Sequence, residues 1–489
     1  MRFGHEINIP IVNLAKDLVK LSVLGDSVDV QKKQEEERYN EIPVSRDNGT
    51  PGDRLRHYLH SGLLDVHGVP RTKGHYFISS AFFALVLFYW TGISDPYVLS
   101  KVISISLLLL VWLNNKLLLK IPATLSGPLS ALALIVLLSA ALSPDPLVSL
   151  LGSYGAYYSG VLSSFIYLAL FFLSVGEDQD FVLDSLIVFA TLAGLIGCAQ
   201  KLGFFLPYPL AGGRVMSTLG SPVYLSGLFA LSIPLTLYRK RYAFLAPQAL
   251  CLLLTLSRGG VLGAACGCVI AAAQRWGDSK KFLYASTVLT ILGTLCVFGI
   301  GKLRPSSSKS DSGRLVMADV ASRAIRAYPI LGYGPDTFHH AMVDYRTKEQ
   351  DDLMGKRWSN DHSHNIILNS LATTGLLGFL SLAFLVFRFF STANLVKPLL
   401  PGLIGLGIYS MVQPLPFCLK GVLAMLCGSA YTHGKESRTL TYAFRLAIVP
   451  VLLVVSSMTY GARLHYDVMF TYNKNLFDTS LKYFPTMYR

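Results

Sequence analysis

Charge is what this sequence has least of. Asp, Glu, Lys and Arg make up only 15% of its 489 residues, while 52% are hydrophobic. Cysteine is sparse and unorganised. The seven cysteines (198, 251, 266, 268, 296, 418 and 427) have no zinc-finger spacing, and Cys266 and Cys268 would face different sides of a helix. They read as small apolar packing residues and carry no sign of a redox compartment. Residues 1–75 lack both an apolar run of spanning length and a signal peptide. The stretch SPDPLVSLLGSYGAYYSG (143–160) has no basic residue, and no internal repeat is visible. The formal charge of +14 does not point to nucleic acid, because the basic residues cluster in short loops between apolar runs.

Those runs, about 17–22 residues each, have the length that carries a helix across a bilayer core. They fall at about 77–94, 97–114, 123–142, 159–176, 181–199, 221–238, 242–256, 259–274, 282–301, 366–390, 396–413, 417–432 and 442–461. The expected fold is therefore all-α: a polytopic transmembrane helical bundle of about 12–13 spans with one large helical loop. Lys and Arg mark alternate loops, which places the N-terminus inside and the 302–365 loop and the tail outside. Five regions follow: a cytoplasmic extension at 1–75, a bundle at 76–301, an outer loop at 302–365, further spans at 366–461 and an outer tail at 462–489. In the extension, Ile11, Leu14, Leu18 and Leu21 have helical spacing that suits an interfacial helix or one packed on the cytosolic face. His57, His60, His67 and His75 there have no ligand spacing.

Against this background a few polar residues stand out. Arg214 and Arg258 sit at the outer membrane surface, against the orientation bias, where an arginine needs water, lipid phosphate or a partner. Gly259 and Gly260 beside Arg258 suggest room for something to approach its guanidinium. In the outer loop SSSKSDSG (306–313) reads as flexible, Arg314 to Ala327 as a helix stopped by Pro329, GYGPD (332–336) as a turn, and Asp336 as the start of a second short helix. GYGPD resembles a potassium-channel filter but lacks its Thr-Val lead. His339 and His340 read as surface or packing residues. The chain then re-enters the membrane through His362, Ser363, His364 and Asn365.

Arginine forks fit phosphate oxygens, and an imidazole can take a proton from a hydroxyl near neutral pH. Arg214, Arg258 and Arg314 with His364 thus suit displacement of a phosphate-linked leaving group by an alcohol, His362 being a second candidate. Asp361, His362 and His364 could instead hold a metal, although two histidines and one acid form a weak ligand set.

The ordered series GRVMSTLGSP, LTLSRGG, GR followed by PILGYGPDTF, and HSHNIILNSLATTGLLG resembles the O-antigen ligase and polymerase superfamily over about 145–390. The resemblance implies a multi-pass protein of the bacterial inner membrane with a C-type glycosyltransferase-like fold and its active site facing the periplasm. It implies glycosyl transfer without metal or other cofactor, from a polyprenyl-diphosphate-linked glycan to an acceptor hydroxyl on lipid A-core, another glycan or a protein. Membrane lipids surround the protein, and no nucleic acid is involved. On this pattern His364, His362, Arg258 and Arg214 are the catalytic candidates, and Arg214, Arg258, Arg314 and Asn365 the substrate-binding ones. Two departures touch the substrate assignment: Ser221-Pro222 stands where relatives often have Asn-Pro, and Tyr157-Tyr158 where a basic residue often stands. A polymerase and a protein O-glycosyltransferase share the chemistry, whereas a small-anion transporter would use the same arginines differently.

Overall fold

A computed structural model of the chain describes residues 72–471 apart from 92, 115–117, 154–159, 205–212, most of 278–306, and 356–359. The amphipathic segment at 11–21, His57, His60, His67, Cys296, Tyr157-Tyr158 and the tail beyond 471 lie outside the described residues.

The described chain is all-α apart from one two-residue ladder. Its helices are α1 (Lys73–Phe82), α2 (Val98–Asn114), α3 (Ala123–Ala141), α4 (Pro146–Leu151), α5 (Val161–Ser174), α6 (Gln179–Lys201), α7 (Pro222–Tyr238), α8 (Leu245–Leu254) and α9 (Arg258–Trp276). There follow α10 (Ser307–Ala327), α11 (Phe338–Tyr345), α12 (Lys348–Met354), α13 (Ile366–Thr392), α14 (Leu400–Ser410), α15 (Phe417–Ser429) and α16 (Arg438–Thr471).

Among the described residues four helices are long and apolar enough to cross a membrane: α3, α6, α13 and α16 as far as Leu464. Their burial divides them. Only about a fifth of the apolar windows of α3, α13 and α16 is buried, against 56% for α6. Leu134, Leu138, Leu380, Phe387, Val449 and Leu453 are exposed, as suits helices at the lipid-facing rim. Six further apolar helices have 10–17 residues and start or stop short of the expected runs. The first run, for instance, is an α-helix that passes into a π turn at Phe83–Leu87 and ends there. His75 helps to start that helix, forming a capping box with Thr72 and stacking on Phe181 at 4.1 Å.

Small residues bring α7, α9 and α14 together. A methyl group on Gly263 would meet the Gly405 carbonyl at 2.4 Å, and one on Gly405 the Ala230 carbonyl at 2.3 Å. Close backbone approach of this kind is how helices gain packing where lipid removes the hydrophobic drive. Cys251, Cys268 and Cys418 are buried thiols in this packing, and the six described cysteines are unpaired.

The two ends of the bundle differ. Lys120–Ile121 pairs antiparallel with Lys435–Glu436 at one end, where Arg239 and Arg241 also bind Asp184. At the far end of α3, Ser143 donates to the Tyr333 carbonyl. Here α10–α12 form a second small core from Val316, Met317, Val320, Phe338 and Met342, closed by Ala372 of α13. The 306–313 stretch is not a flexible lead, because α10 already begins at Ser307.

The segment Pro329–Gly334 is inserted into a break in α13. Gly375 has φ 66° and ψ −170°, which interrupts the helix. The backbone groups released there are paired with the inserted segment: Leu376 and Leu377 N–H donate to the Pro329 and Ile330 carbonyls, and the Ala372 and Thr373 carbonyls accept from Tyr333 and Gly334 N–H. In an apolar setting such groups need a partner. The Ser139 hydroxyl reinforces the junction on the Leu331 carbonyl at 2.7 Å. The segment resembling a channel filter is thus a latch on α13.

Candidate active site

The latch ends at Asp336. This residue is buried and has φ 60°, a conformation uncommon without glycine. Instead of capping α11, its carboxylate accepts from Ser153 N–H at 3.3 Å; Thr337 takes the cap position, its hydroxyl donating back to the Tyr333 and Gly334 carbonyls. Asp361 reaches the same Ser153, and burial together with Asp336 pushes its carboxyl up to about 6. The basic-free segment 143–153, the latch and the histidine loop therefore converge. His340 of α11 adds a contact to Asp145 of α4 at 3.4 Å.

Asn365 caps α13, its Oδ1 accepting from Ile367 and Leu368 N–H, while its Nδ2 donates to the Met411 carbonyl at 3.0 Å. Both ends of the amide, read from sequence as a substrate contact, are engaged in this cap. His364 has φ 56°. Its N–H donates to His362 Nδ1 at 3.3 Å, and the two rings lie 4.4 Å apart, edge to face. His362 is buried, with Nε2 2.9 Å from the Gln413 amide. His364 is partly exposed, but its Nδ1 is buried, and its Nε2 lies 3.2 Å from Asn360 Nδ2.

Burial, and then the neighbouring His364, hold His362 well below the ordinary imidazole range. Burial, with the Arg314 charge beside it, pushes His364 down to about 4; the Val412 carbonyl and the Gln413 side chain pull weakly the other way. Both rings are therefore neutral at physiological pH. Arg314, 50 positions earlier in the chain, is brought by α10 to the histidine that sequence singled out.

Arg258 is the first residue of α9, behind a Ser257 cap that Ser226 supports at 2.8 Å. The glycines beside it do not leave room for a ligand. Methyl groups on Gly259 and Gly260 would meet Val412 and Ser226 side chains at 2.4 Å, so the small residues serve helix packing. The contact has a consequence, because Val412 precedes Gln413 in the turn that touches both histidines. The 411–413 turn links the N-terminus of α9 to the histidine loop.

Arg214 is tied to the end of α8. Its Nε donates to the Thr255 carbonyl at 2.7 Å, three residues before Arg258. The following STLG turn is pinned by Gln200 Oε1 on Met216 and Ser217 N–H and by Lys101, whose ammonium donates to the Thr218 carbonyl at 2.8 Å. Among the described residues no group of three or more His, Cys, Asp or Glu side chains comes together as metal ligands would.

A comparison with protein families gives the O-antigen ligase model over residues 243–383. That stretch of the chain is an O-antigen ligase family match. The matched stretch runs from the turn before α8 to the middle of α13, and holds Arg258, Arg314, Asp336, His362 and His364. It leaves out Arg214 and the 411–413 turn. No curated protein matches the chain. The match supports an O-antigen ligase- or polymerase-family role, and the four long apolar helices point to a membrane protein.

Sequence reasoning missed Asn360, Gln413, Asp336 and Ser153 as parts of this cluster. Gln413 and Asn360 are single polar residues in loops, and only their contacts set them apart. Asp336 reads from sequence as the start of a short helix.

Proposed function

We propose that this protein transfers a glycan from a polyprenyl diphosphate donor to an acceptor hydroxyl, such as one on lipid A-core, at the periplasmic face of the bacterial inner membrane. The acceptor O–H gives its proton to Nε2 of His364. Its oxygen bonds to the anomeric carbon as the bond from that carbon to the diphosphate oxygen breaks, and the diphosphate leaves with the electron pair. Arg314, Arg258 and Arg214 hold the leaving group and offset the charge that develops on it, usually the largest catalytic term. His362 stays neutral and orients the loop. Imidazolium His364 then returns its proton to water.

One observation carries this reading: Arg314 and His364 come together at the start of α13, although 50 positions separate them in sequence. A cation for phosphate thus stands beside a neutral base whose outer side is accessible. Arrival of a diphosphate would offset the Arg314 charge and raise the basicity of His364 toward the working pH. We assign 302–365 and 462–489 to the periplasmic side, 1–75 to the cytoplasm, and 76–301 and 366–461 to the membrane.

The test is reaction of the purified protein in nanodiscs with lipid-linked glycan, with and without lipid A-core. Product only with lipid A-core supports a ligase. Longer lipid-linked glycan without it indicates a polymerase, and no glycosidic product with any hydroxyl acceptor contradicts the proposal.

A further inference from the structure

The hydrogen bonds around His364 determine its tautomer. Asn360 Oδ1 accepts from Asp361 N–H at 3.0 Å, which fixes the direction of that side chain: its amide nitrogen is the atom facing His364 Nε2 at 3.2 Å. An amide nitrogen donates and has no lone pair to offer. His364 Nε2 must therefore accept, so in the neutral ring the proton is on Nδ1, the buried nitrogen. Beside it, His362 Nδ1 accepts from His364 N–H at 3.3 Å, and the Gln413 amide nitrogen lies 2.9 Å from His362 Nε2.

We infer that Asn360 is a positioning residue: it fixes the Nδ1–H tautomer of His364 and occupies, through its donating amide, the place that the acceptor hydroxyl takes during transfer. This rests on the reading of His364 as the base. A hydroxyl reaching Nε2 replaces one donor by another, so the lone pair that receives the proton is already aimed at the acceptor side. The buried Nδ1–H faces the interior throughout and takes no part in the proton transfer. Asn360 is partly exposed in the loop before the histidines, so the acceptor sugar enters from that side, and the specificity for it is decided beside Asn360.

The experiment uses the full-length protein in nanodiscs, labelled with ¹⁵N-histidine, with the His364 resonances assigned by their loss in His364→Gln. The proposal expects protonated Nδ1 and unprotonated Nε2 at neutral pH. Asn360→Asp replaces the donor by a carboxylate that only accepts, so Nε2 becomes protonated and transfer falls by about 10²-fold or more, the contribution of a general base. Asn360→Gln keeps a donating amide and retains clearly more activity than Asn360→Asp, a split that loss of fold would not produce. A wild-type His364 protonated on Nε2 overturns the proposal. So does wild-type turnover in Asn360→Asp when His364→Ala is inactive, a result that leaves the base reading standing. Wild-type turnover in His364→Ala overturns the base reading itself, and the acceptor place with it.

Discussion

Gly375→Ala places a methyl group 2.3 Å from the Ile330 carbonyl oxygen, where no flexible side chain can yield. It also forces an L-residue into φ 66°, ψ −170°, a region that only glycine occupies readily and that costs ~1–3 kcal/mol otherwise. Relief requires Pro329–Gly334 to move out of the break. Four backbone hydrogen bonds span that junction, and losing two would add ~1–3 kcal/mol at the usual net value per bond. A destabilisation of about 2–6 kcal/mol is expected, together with loss of transfer, because the latch carries Asp336 into the site. Gly407→Ala is the matched control: it lies in α14 with open space around it and should be neutral or slightly stabilising. Thermal unfolding of both variants in nanodiscs, with glycan transfer measured on the same preparations, tests this. If Gly375→Ala melts and reacts like the wild type, the latch is not a structural element of the site.

Arg258→Lys keeps the charge but loses the bidentate fork, so transfer should fall at least tenfold, about 1.4 kcal/mol of transition-state binding; unchanged kinetics would remove Arg258 from the leaving-group site. Leu353 on α12 is 63% exposed, and a Leu353→Cys variant should react with an impermeant thiol reagent added to intact spheroplasts, whereas protection would put the site on the cytoplasmic side. His364 is lowered to about 4, so the free enzyme keeps its base unprotonated down to that pH, and kcat/KM should hold between pH 7 and 5 and fall toward pH 4. A limb near 6.5 would mean an imidazole without the burial and the Arg314 charge described above. The same shift makes folding pH-dependent with a defined sign: the unfolded histidine binds its proton at a higher pH than the folded one, so the stability that His364 contributes is lost as pH falls from about 6.5 to about 4.

Composition and periodicity were sufficient for the all-α membrane fold, because an apolar run of 17 or more residues has few alternatives. Arg314 and His364 were legible from residue chemistry and from the ordered motifs around them. The latch was not. GYGPD reads as a turn, and Gly375 reads as one glycine in an apolar helix; that the segment before the turn fills the gap at Gly375 appears only when residues 330 and 375 are seen together. The glycines after Arg258 suggested space for a ligand, but they are the contact surface of α9 for Val412 and Ser226, a use of small residues that sequence cannot separate from the first. Gln413 and Asn360 carry no motif, and their part in the site follows from their contacts with the two histidines.

The central claim is that His364 transfers the proton and the arginines bind the donor. It is tested most directly by measuring product formation and donor affinity on one preparation of His364→Ala. The account predicts that turnover falls by about 10²–10⁴-fold while affinity for the lipid-linked donor stays within about threefold of the wild type, a difference below 1 kcal/mol. Equal loss of turnover and affinity would contradict it, because His364 would then be part of the binding site and not the base.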